Sequence, residues 1–209
     1  MKTKNFVFLF LMVISLSTKG QEIQQLKIKK DNLPSEIKYS GIVLNAVTWN
    51  DESGENIVVT TETGVVESEE DPEFSSDAEL FAYRFIKKGN QFEQVWRVYD
   101  FVKNCPVDIE ASFVPNTFEV TDLNLNGVAE VWLMYRTVCH GDVSPLTMKV
   151  IMYEGDQKFA MRGRNKVRVT ETDFVGGEYK FDLAFQNGPD VFRHFAEKLW
   201  KKNLLHRWE

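Results

Sequence analysis

The segment from Val128 to Val138 is the part of the sequence that most restricts the fold. Val131 and Leu133 alternate with Trp132 and Met134, so an extended strand here would be apolar on both faces near its middle. A strand with one solvated face instead alternates apolar with polar residues. We therefore expect a central strand that is covered on both sides, and the fold must supply a layer for each face.

Most of the remaining chain consists of strand-forming runs separated by turn residues. Near the C-terminus the period changes, because Pro189 can start a helix and apolar residues then recur every three to four positions. We expect a mainly β fold, an antiparallel meander or sandwich, with a C-terminal helix at about 189–204 packed on the sheet. The predicted strands lie at 41–49, 57–61, 80–86, 92–102, 118–121, 128–138, 146–153 and 179–185, with one more ending near 161.

Two segments are predicted to be irregular. Residues 67–77 (ESEEDPEFSSD) are acidic and contain a proline, which indicates a surface loop. Residues 105–116 contain Pro106 and Pro115 and show no clear period.

The first 20 residues resemble a secretory signal. Lys2 and Lys4 precede an apolar run from Phe6 to Ile14, and mostly small or polar residues follow. That run is too short for a bilayer, which needs about 20 apolar residues. We expect residues 1–20 to be a signal peptide and 21–209 to be a single domain, exported to the periplasm, the cell surface or the medium, with no transmembrane segment after cleavage.

The charge argues against a nucleic-acid partner. The formal net charge is −6, and loss of the three lysines in residues 1–20 would move it to −9. Binding to phosphates needs a basic face. The short basic clusters at 27–30, 162–168 and 198–202 are expected to be solvated surfaces.

Two cysteines, Cys105 and Cys139, are present. An even number in an oxidising compartment favours a disulfide, and the alternative is two separate buried thiols. His140 and Asp142 follow Cys139, but neighbouring residues on a strand point to opposite faces. We therefore expect a bridged cysteine followed by a loop, and no catalytic residues at this position.

A polar loop connects two predicted strands. Asp122, Asn124 and Asn126 occupy alternate positions and Gly127 follows them, which is a spacing that can turn oxygen atoms toward one calcium ion. Two further ligands would be the carbonyl of Val128 and the carboxylate of Glu130. The candidate metal site is therefore Asp122, Asn124, Asn126, Val128 and Glu130.

This loop is not an EF-hand, because position 12 is Leu133 and strands flank it. It resembles the integrin-type FG-GAP calcium loops (D-x-D-x-D-G-x-x-D), with two acids replaced by asparagine and one by glutamate. Two carboxylates would bind weakly, with a Kd of roughly 10⁻⁴–10⁻³ M. The alternative is a metal-free turn, since Asn-Gly favours hairpins and Asp and Asn satisfy turn amides.

Four segments together resemble a Bacteroidetes family of exported proteins labelled as surface polysaccharide biosynthesis proteins. They are residues 49–64 (WNDESGENIVVTTETG), 121–135 (TDLNLNGVAEVWLMY), 139–145 (CHGDVSP) and 148–163. The resemblance implies a role in making or displaying surface polysaccharide, with cell-surface polysaccharide or envelope proteins as partners. It implies no enzyme activity.

Two functions follow as hypotheses. The first is an exported, non-catalytic β-domain associated with surface polysaccharide biosynthesis or display, braced by calcium if the polar loop binds it. The second is an envelope hydrolase that acts on glycans through a pair of carboxylates, one with a raised pKa. The sequence contains no G-x-S-x-G, H-E-x-x-H or phosphate-binding glycine loop.

Overall fold

The computed structural model describes residues 23–206. The predicted signal peptide (1–20) and residues 21, 22 and 207–209 lie outside the described residues. Fourteen strands, two α-helices and a short 3₁₀ turn (Lys30–Asn32) make up the described part. Their bounds are β1 Leu26–Lys27, β2 Ile42–Asp51, β3 Gly54–Glu67, β4 Ser76–Lys88, β5 Gln91–Cys105, β6 Ile109–Phe113, β7 Glu119–Thr121, β8 Glu130–Cys139, β9 Thr147–Glu154, β10 Gln157–Arg164, β11 Lys166–Arg168, β12 Phe174–Gly176, β13 Tyr179–Phe181, β14 Leu205–His206, α1 Leu183–Asn187 and α2 Asp190–Lys202.

Two antiparallel sheets form a sandwich. Sheet A has the order β1-β2-β3-β4-β5, and sheet B has the order β13-β10-β9-β8-β6 with β7 also paired to β8. Apolar side chains from both sheets, including Trp49, Leu80 and Leu133, form one core between them. A small third sheet joins β12, β11 and β14.

The helices cover the other face of sheet B. Trp132 and Met134 of β8 point away from sheet A and pack with Phe192 and Trp200 of α2. The prediction that residues 128–138 form a central strand covered on both sides is therefore confirmed. The predicted mainly β fold with a C-terminal helix on the sheet is also confirmed, since α2 has this position.

The outer face of sheet A is partly covered by the chain before β2. Ile37 is buried against Phe81, Tyr83 and Phe85 of β4, and Leu33 lies beside this cluster. These three aromatic residues lie at alternate positions of β4, so their rings share one face. The cover ends before the far end of β5, where Tyr99 and Phe101 are exposed.

Cys105 and Cys139 form a disulfide with a Cα–Cα distance of 5.7 Å. Cys105 ends β5 in sheet A, and Cys139 ends β8 in sheet B. The bridge therefore joins the two sheets of the sandwich, and the described residues contain no free cysteine.

Three sequence predictions need correction. The segment 105–116 contains strand β6, which pairs with β8 although prolines stand on both sides of it. The strand predicted at 179–185 ends at Phe181, because the side chain of Asp182 accepts a hydrogen bond from the Phe185 amide and starts α1. The acidic loop is shorter than predicted, since β3 includes Glu67 and β4 includes Ser76 and Asp77.

Candidate functional site

The polar loop is closed by hydrogen bonds to its own backbone. The carboxylate of Asp122 accepts from the amides of Asn126 (3.0 Å) and Gly127 (3.1 Å). The side-chain oxygen of Asn126 accepts from the Val128 amide at 2.8 Å. Asp and Asn are acting here as turn residues that satisfy amides which the sheet leaves unpaired.

Glu130 is fully buried and points into the loop. Its carboxylate accepts from the Leu123 amide (3.0 and 2.9 Å) and from the Thr121 hydroxyl (2.6 Å). Burial raises the pKa of Glu130, although these hydrogen bonds act in the opposite direction. Glu130 thus anchors the start of the loop to β8.

A third carboxylate from the next strand reaches the loop. Glu154 is the cross-strand partner of Glu130, and its Oε1 accepts from the side-chain amides of Asn124 (2.6 Å) and Asn126 (2.8 Å). The loop pattern ends at position 130, so it gives no sign of this residue. Glu154 can be identified only from the register of the β8–β9 pair, which places it opposite Glu130.

The loop is also tied to the β2–β3 turn of sheet A. Asp51 Oδ2 accepts from the Ala129 amide at 3.1 Å, and the Glu52 amide donates to the Gly127 carbonyl at 2.8 Å. Gly127 has φ +79°, and a Cβ there would lie 2.5 Å from Glu52 Cγ. The positive φ favours glycine here, and any larger residue would also have to displace the Glu52 side chain.

The five predicted metal ligands come together in one loop, where several of their oxygens already accept hydrogen bonds. Calcium takes about six to eight oxygen ligands. Here the oxygens of Asp122, Asn126 and Glu130 already accept backbone amides, and both asparagine nitrogens face Glu154. Within residues 23–206 no group of three or more His, Cys, Asp or Glu side chains is placed to hold a metal. Calcium binding at the loop stays a prediction.

The metal-free alternative predicts that millimolar calcium leaves the melting temperature unchanged relative to chelator, because hydrogen bonds alone close the loop. Thermal denaturation with each additive, together with calorimetric titration, measures this. An Asp122→Asn variant removes one carboxylate, and because it also leaves one of the two amides bonded to Asp122 without an acceptor, its melting temperature is compared with and without calcium. Binding heat with a higher melting temperature, both lost in Asp122→Asn, would instead support the calcium site.

An exposed pair of aromatic rings lies on the outer face of sheet A. It continues the row of stacked rings formed by the buried aromatic residues of β4. Tyr99 stacks on Phe81 with ring centroids 4.9 Å apart, and Phe101 stacks on Tyr99 at 5.0 Å. Tyr99 is 38% exposed and Phe101 47% exposed. We call Tyr99 and Phe101 the aromatic platform.

Charged side chains are fixed around the platform. The Tyr99 hydroxyl donates to Glu79 at 2.9 Å, and Lys103 forms ion pairs with Glu79 (2.6 Å) and Asp77 (3.0 Å). Arg97 lies over the Tyr99 ring at 5.4 Å. The two rings are ordered by stacking and bordered by oriented polar groups, so their exposed parts offer apolar surface beside hydrogen-bonding groups.

Asp77, beside the platform, is not suited to act as a catalytic acid. A backbone hydrogen bond from Asn104 and the ion pair with Lys103 hold the pKa of Asp77 below its ordinary value. Glu79 is paired with the same lysine. A glycosidase acid must be protonated near neutral pH, which needs a raised pKa.

A groove of about 640 Å³ lies beside β2, β3 and residues 113–118. Its lining includes Asn45, Glu62, Phe113 and Asn116. Burial raises the pKa of Glu62, and nearby Glu110 acts in the same direction, whereas the Phe113 amide donates to Glu62 and lowers it. Glu62 is therefore a carboxyl in a concave site whose protonated form is favoured more than in an ordinary glutamate.

The sequence did not identify these two surfaces. Tyr99 and Phe101 alternate within a predicted strand, which could have indicated one aromatic face, but the pattern does not show which part of that face stays uncovered. Glu62 is one acid among many, and its neighbourhood depends on β6, a strand that the sequence did not predict. The predicted loop at His140 and Asp142 is present, and His140 Nδ1 lies 3.3 Å from Asp142.

Comparison with protein-family models, curated proteins and solved structures gives no significant match to this chain. Within the described part of the chain, both helices are too short and too polar to cross a membrane.

Proposed function

We propose that this chain is an exported, non-catalytic β-domain that binds polysaccharide at the cell surface through the aromatic platform. The exposed, stacked rings of Tyr99 and Phe101 carry the proposal. The resemblance to exported surface polysaccharide proteins agrees with it. The polar loop would brace the sandwich away from the ligand.

The chemistry of the platform supports a glycan as the ligand. Sugar rings have C–H faces that stack on aromatic rings, and hydroxyl edges that take hydrogen bonds from charged groups. Because Tyr99 is held by Phe81 on one side and by Glu79 at its hydroxyl, little side-chain entropy is lost on binding. The ion-paired state of Asp77 and Glu79 supports binding without hydrolysis.

Replacing both platform rings (Tyr99→Ala with Phe101→Ala) should weaken glycan binding by about tenfold or more. The variant should keep its melting temperature within a few degrees, since both rings are partly exposed. Affinity electrophoresis against a panel of soluble neutral and acidic polysaccharides measures the loss. Phe74→Ala is the matched control, because Phe74 is 68% exposed and lies in the loop before β4. Equal binding by both variants would contradict the assignment.

The alternative function is a glycan hydrolase centred on Glu62. The raised pKa of Glu62 in a groove, with Glu110 nearby, is the observation that favours it. This alternative predicts release of reducing ends from a bound polysaccharide. A Glu62→Gln variant would then abolish release and keep binding.

A further inference from the structure

The inner face of sheet B extends beyond the cover that sheet A provides. Sheet A packs its strands over β6 and β8, at one side of sheet B. Strands β10 and β13 form the other side. Their side chains that point toward the sheet A side are therefore next to solvent, except where the core residue Ala160 is covered.

Four cations lie on this uncovered surface. Lys180, Arg162 and Lys149 are consecutive cross-strand partners, so they form a row across β13, β10 and β9. Lys158 lies on the same face of β10, since it is four residues from Arg162 along a strand. Lys158, Arg162 and Lys180 are exposed and Lys149 is half-buried. We call these four residues the cationic face.

The acids near the cationic face leave it with an excess of positive charge. Asp100 forms an ion pair with Lys149. Asp182 caps α1 through a hydrogen bond with the Phe185 amide. Lys158, Arg162 and Lys180 take part in none of the ion pairs found between described residues. Partial desolvation lowers the pKa of Lys158 most, the charges of Arg162 and Lys149 lower it further, and the charges of Asp100 and Asp182 act in the opposite direction.

The concentration of unpaired cations on a chain with a formal charge of −6 indicates a binding surface for an anion. Neighbouring cations in the row are separated by the strand spacing, about 5 Å. An extended ligand that carries one negative charge per unit matches such a row. The tyrosines beneath it, Tyr135 and Tyr153, are buried, so they are not positioned to stack on nucleic-acid bases.

We infer that the cationic face binds the carboxylates of an acidic polysaccharide, laid across β9, β10 and β13. The class of ligand rests on the proposed function, and the row of cations adds the requirement that the ligand be negatively charged. The face is distinct from the aromatic platform, which lies on the outer side of sheet A. The two surfaces can therefore be tested separately.

Binding to polygalacturonate tests the inference, with fully methyl-esterified polygalacturonate as the uncharged probe of the same backbone. We expect the full-length protein to bind the charged form more tightly and to lose that preference as salt rises. Lys158→Ala with Arg162→Ala should weaken binding to the charged form by about tenfold or more. The control is Lys198→Ala with Lys202→Ala, which removes the same charge from exposed positions on α2.

The outcomes separate this inference from the proposed function. Equal affinity for both probes, or equal loss in both double variants, would overturn the cationic face as the binding surface. Tighter binding to a single-stranded oligonucleotide than to polygalacturonate would overturn the ligand class. Failure to bind any member of the polysaccharide panel would overturn the proposed function as well. Melting curves of both variants verify that they fold.

Discussion

Replacing Asp51 with alanine lowers the free energy of unfolding by about 2–3 kcal/mol. Its carboxylate accepts from the indole of Trp49 (2.8 Å), the amide of Ser53 (2.8 Å), the side chain of Asn56 (3.0 Å) and the amide of Ala129 (3.1 Å). Trp49 and Asn56 are buried. Alanine would leave several donors without an acceptor at the junction of the two turns.

A buried cation adds to this cost. Arg84 is 3% exposed and donates to Asn56 Oδ1, Ser53 Oγ and the Gly155 carbonyl. Burial lowers the pKa of Arg84, and the charge of Asp51 opposes that effect. The Asp51→Ala variant therefore loses a partly compensating negative charge beside a buried guanidinium, which is more costly than loss of a surface ion pair.

Urea denaturation at neutral pH measures the change. Asp156→Ala is the control, because Asp156 is exposed and acts on Arg84 through its charge. It should cost less than about 1 kcal/mol. Equal effects of the two substitutions would show that the hydrogen bonds of Asp51 contribute little.

The stabilising effect of the Asp51 carboxylate depends on pH and should be lost in acid. Burial acts to raise the pKa of Asp51, but its hydrogen bonds from Ser53, Trp49 and Ala129 together hold it below the ordinary value of 3.8. A carboxylate with a lowered folded pKa contributes stability that is fully present above its unfolded pKa and is lost as the pH falls through the folded pKa. The difference between the wild type and Asp51→Ala should therefore narrow only below about pH 4.

Removing the disulfide with Cys105→Ser and Cys139→Ser lowers the free energy of unfolding by about 4 kcal/mol. The bridge closes a loop with a sequence separation of 34, and without it the unfolded chain gains conformational freedom. Cys105 is 1% exposed, so its replacement also places a hydroxyl in the core. The bridge joins the ends of β5 and β8, and its loss frees one end of the sandwich.

Urea denaturation of the double serine variant measures this loss, and a Cys105→Ala, Cys139→Ala variant separates the bridge from the buried hydroxyl. Both variants should be strongly destabilised, and the serine variant should lose more because it also buries a hydroxyl. Mass measurement after alkylation should shift for the wild type only when it has been reduced. Alkylation of the unreduced wild type, or a loss below about 1 kcal/mol, would contradict the assigned bridge.

Strands could be predicted where the order of apolar and polar residues alone indicates an extended conformation. Val131, Trp132, Leu133 and Met134 have two apolar faces in any extended conformation, so the central position of β8 and the need for two covering layers followed from the sequence. The helix α2 followed from its period. Strand β6 did not, because its place depends on pairing with β8 and its own five residues, Ile109–Phe113, carry a weak signal.

The surfaces proposed to bind ligands depend on which strand faces are covered by distant parts of the chain. A single sequence does not show which faces are covered. Tyr99 and Tyr83 both belong to aromatic strands, yet the segment around Ile37 covers one and leaves the other partly exposed. Arg162 was expected to lie on a plain solvated surface. Its role changes once the register places Lys149 and Lys180 beside it.

We propose that the protein binds glycans and does not cleave them. The most direct measurement incubates the full-length protein with the polysaccharide panel and records both retained protein and released reducing ends. We expect retention that depends on Tyr99 and Phe101, with no release of reducing ends. Release that disappears in Glu62→Gln would contradict it and assign the groove as an active site.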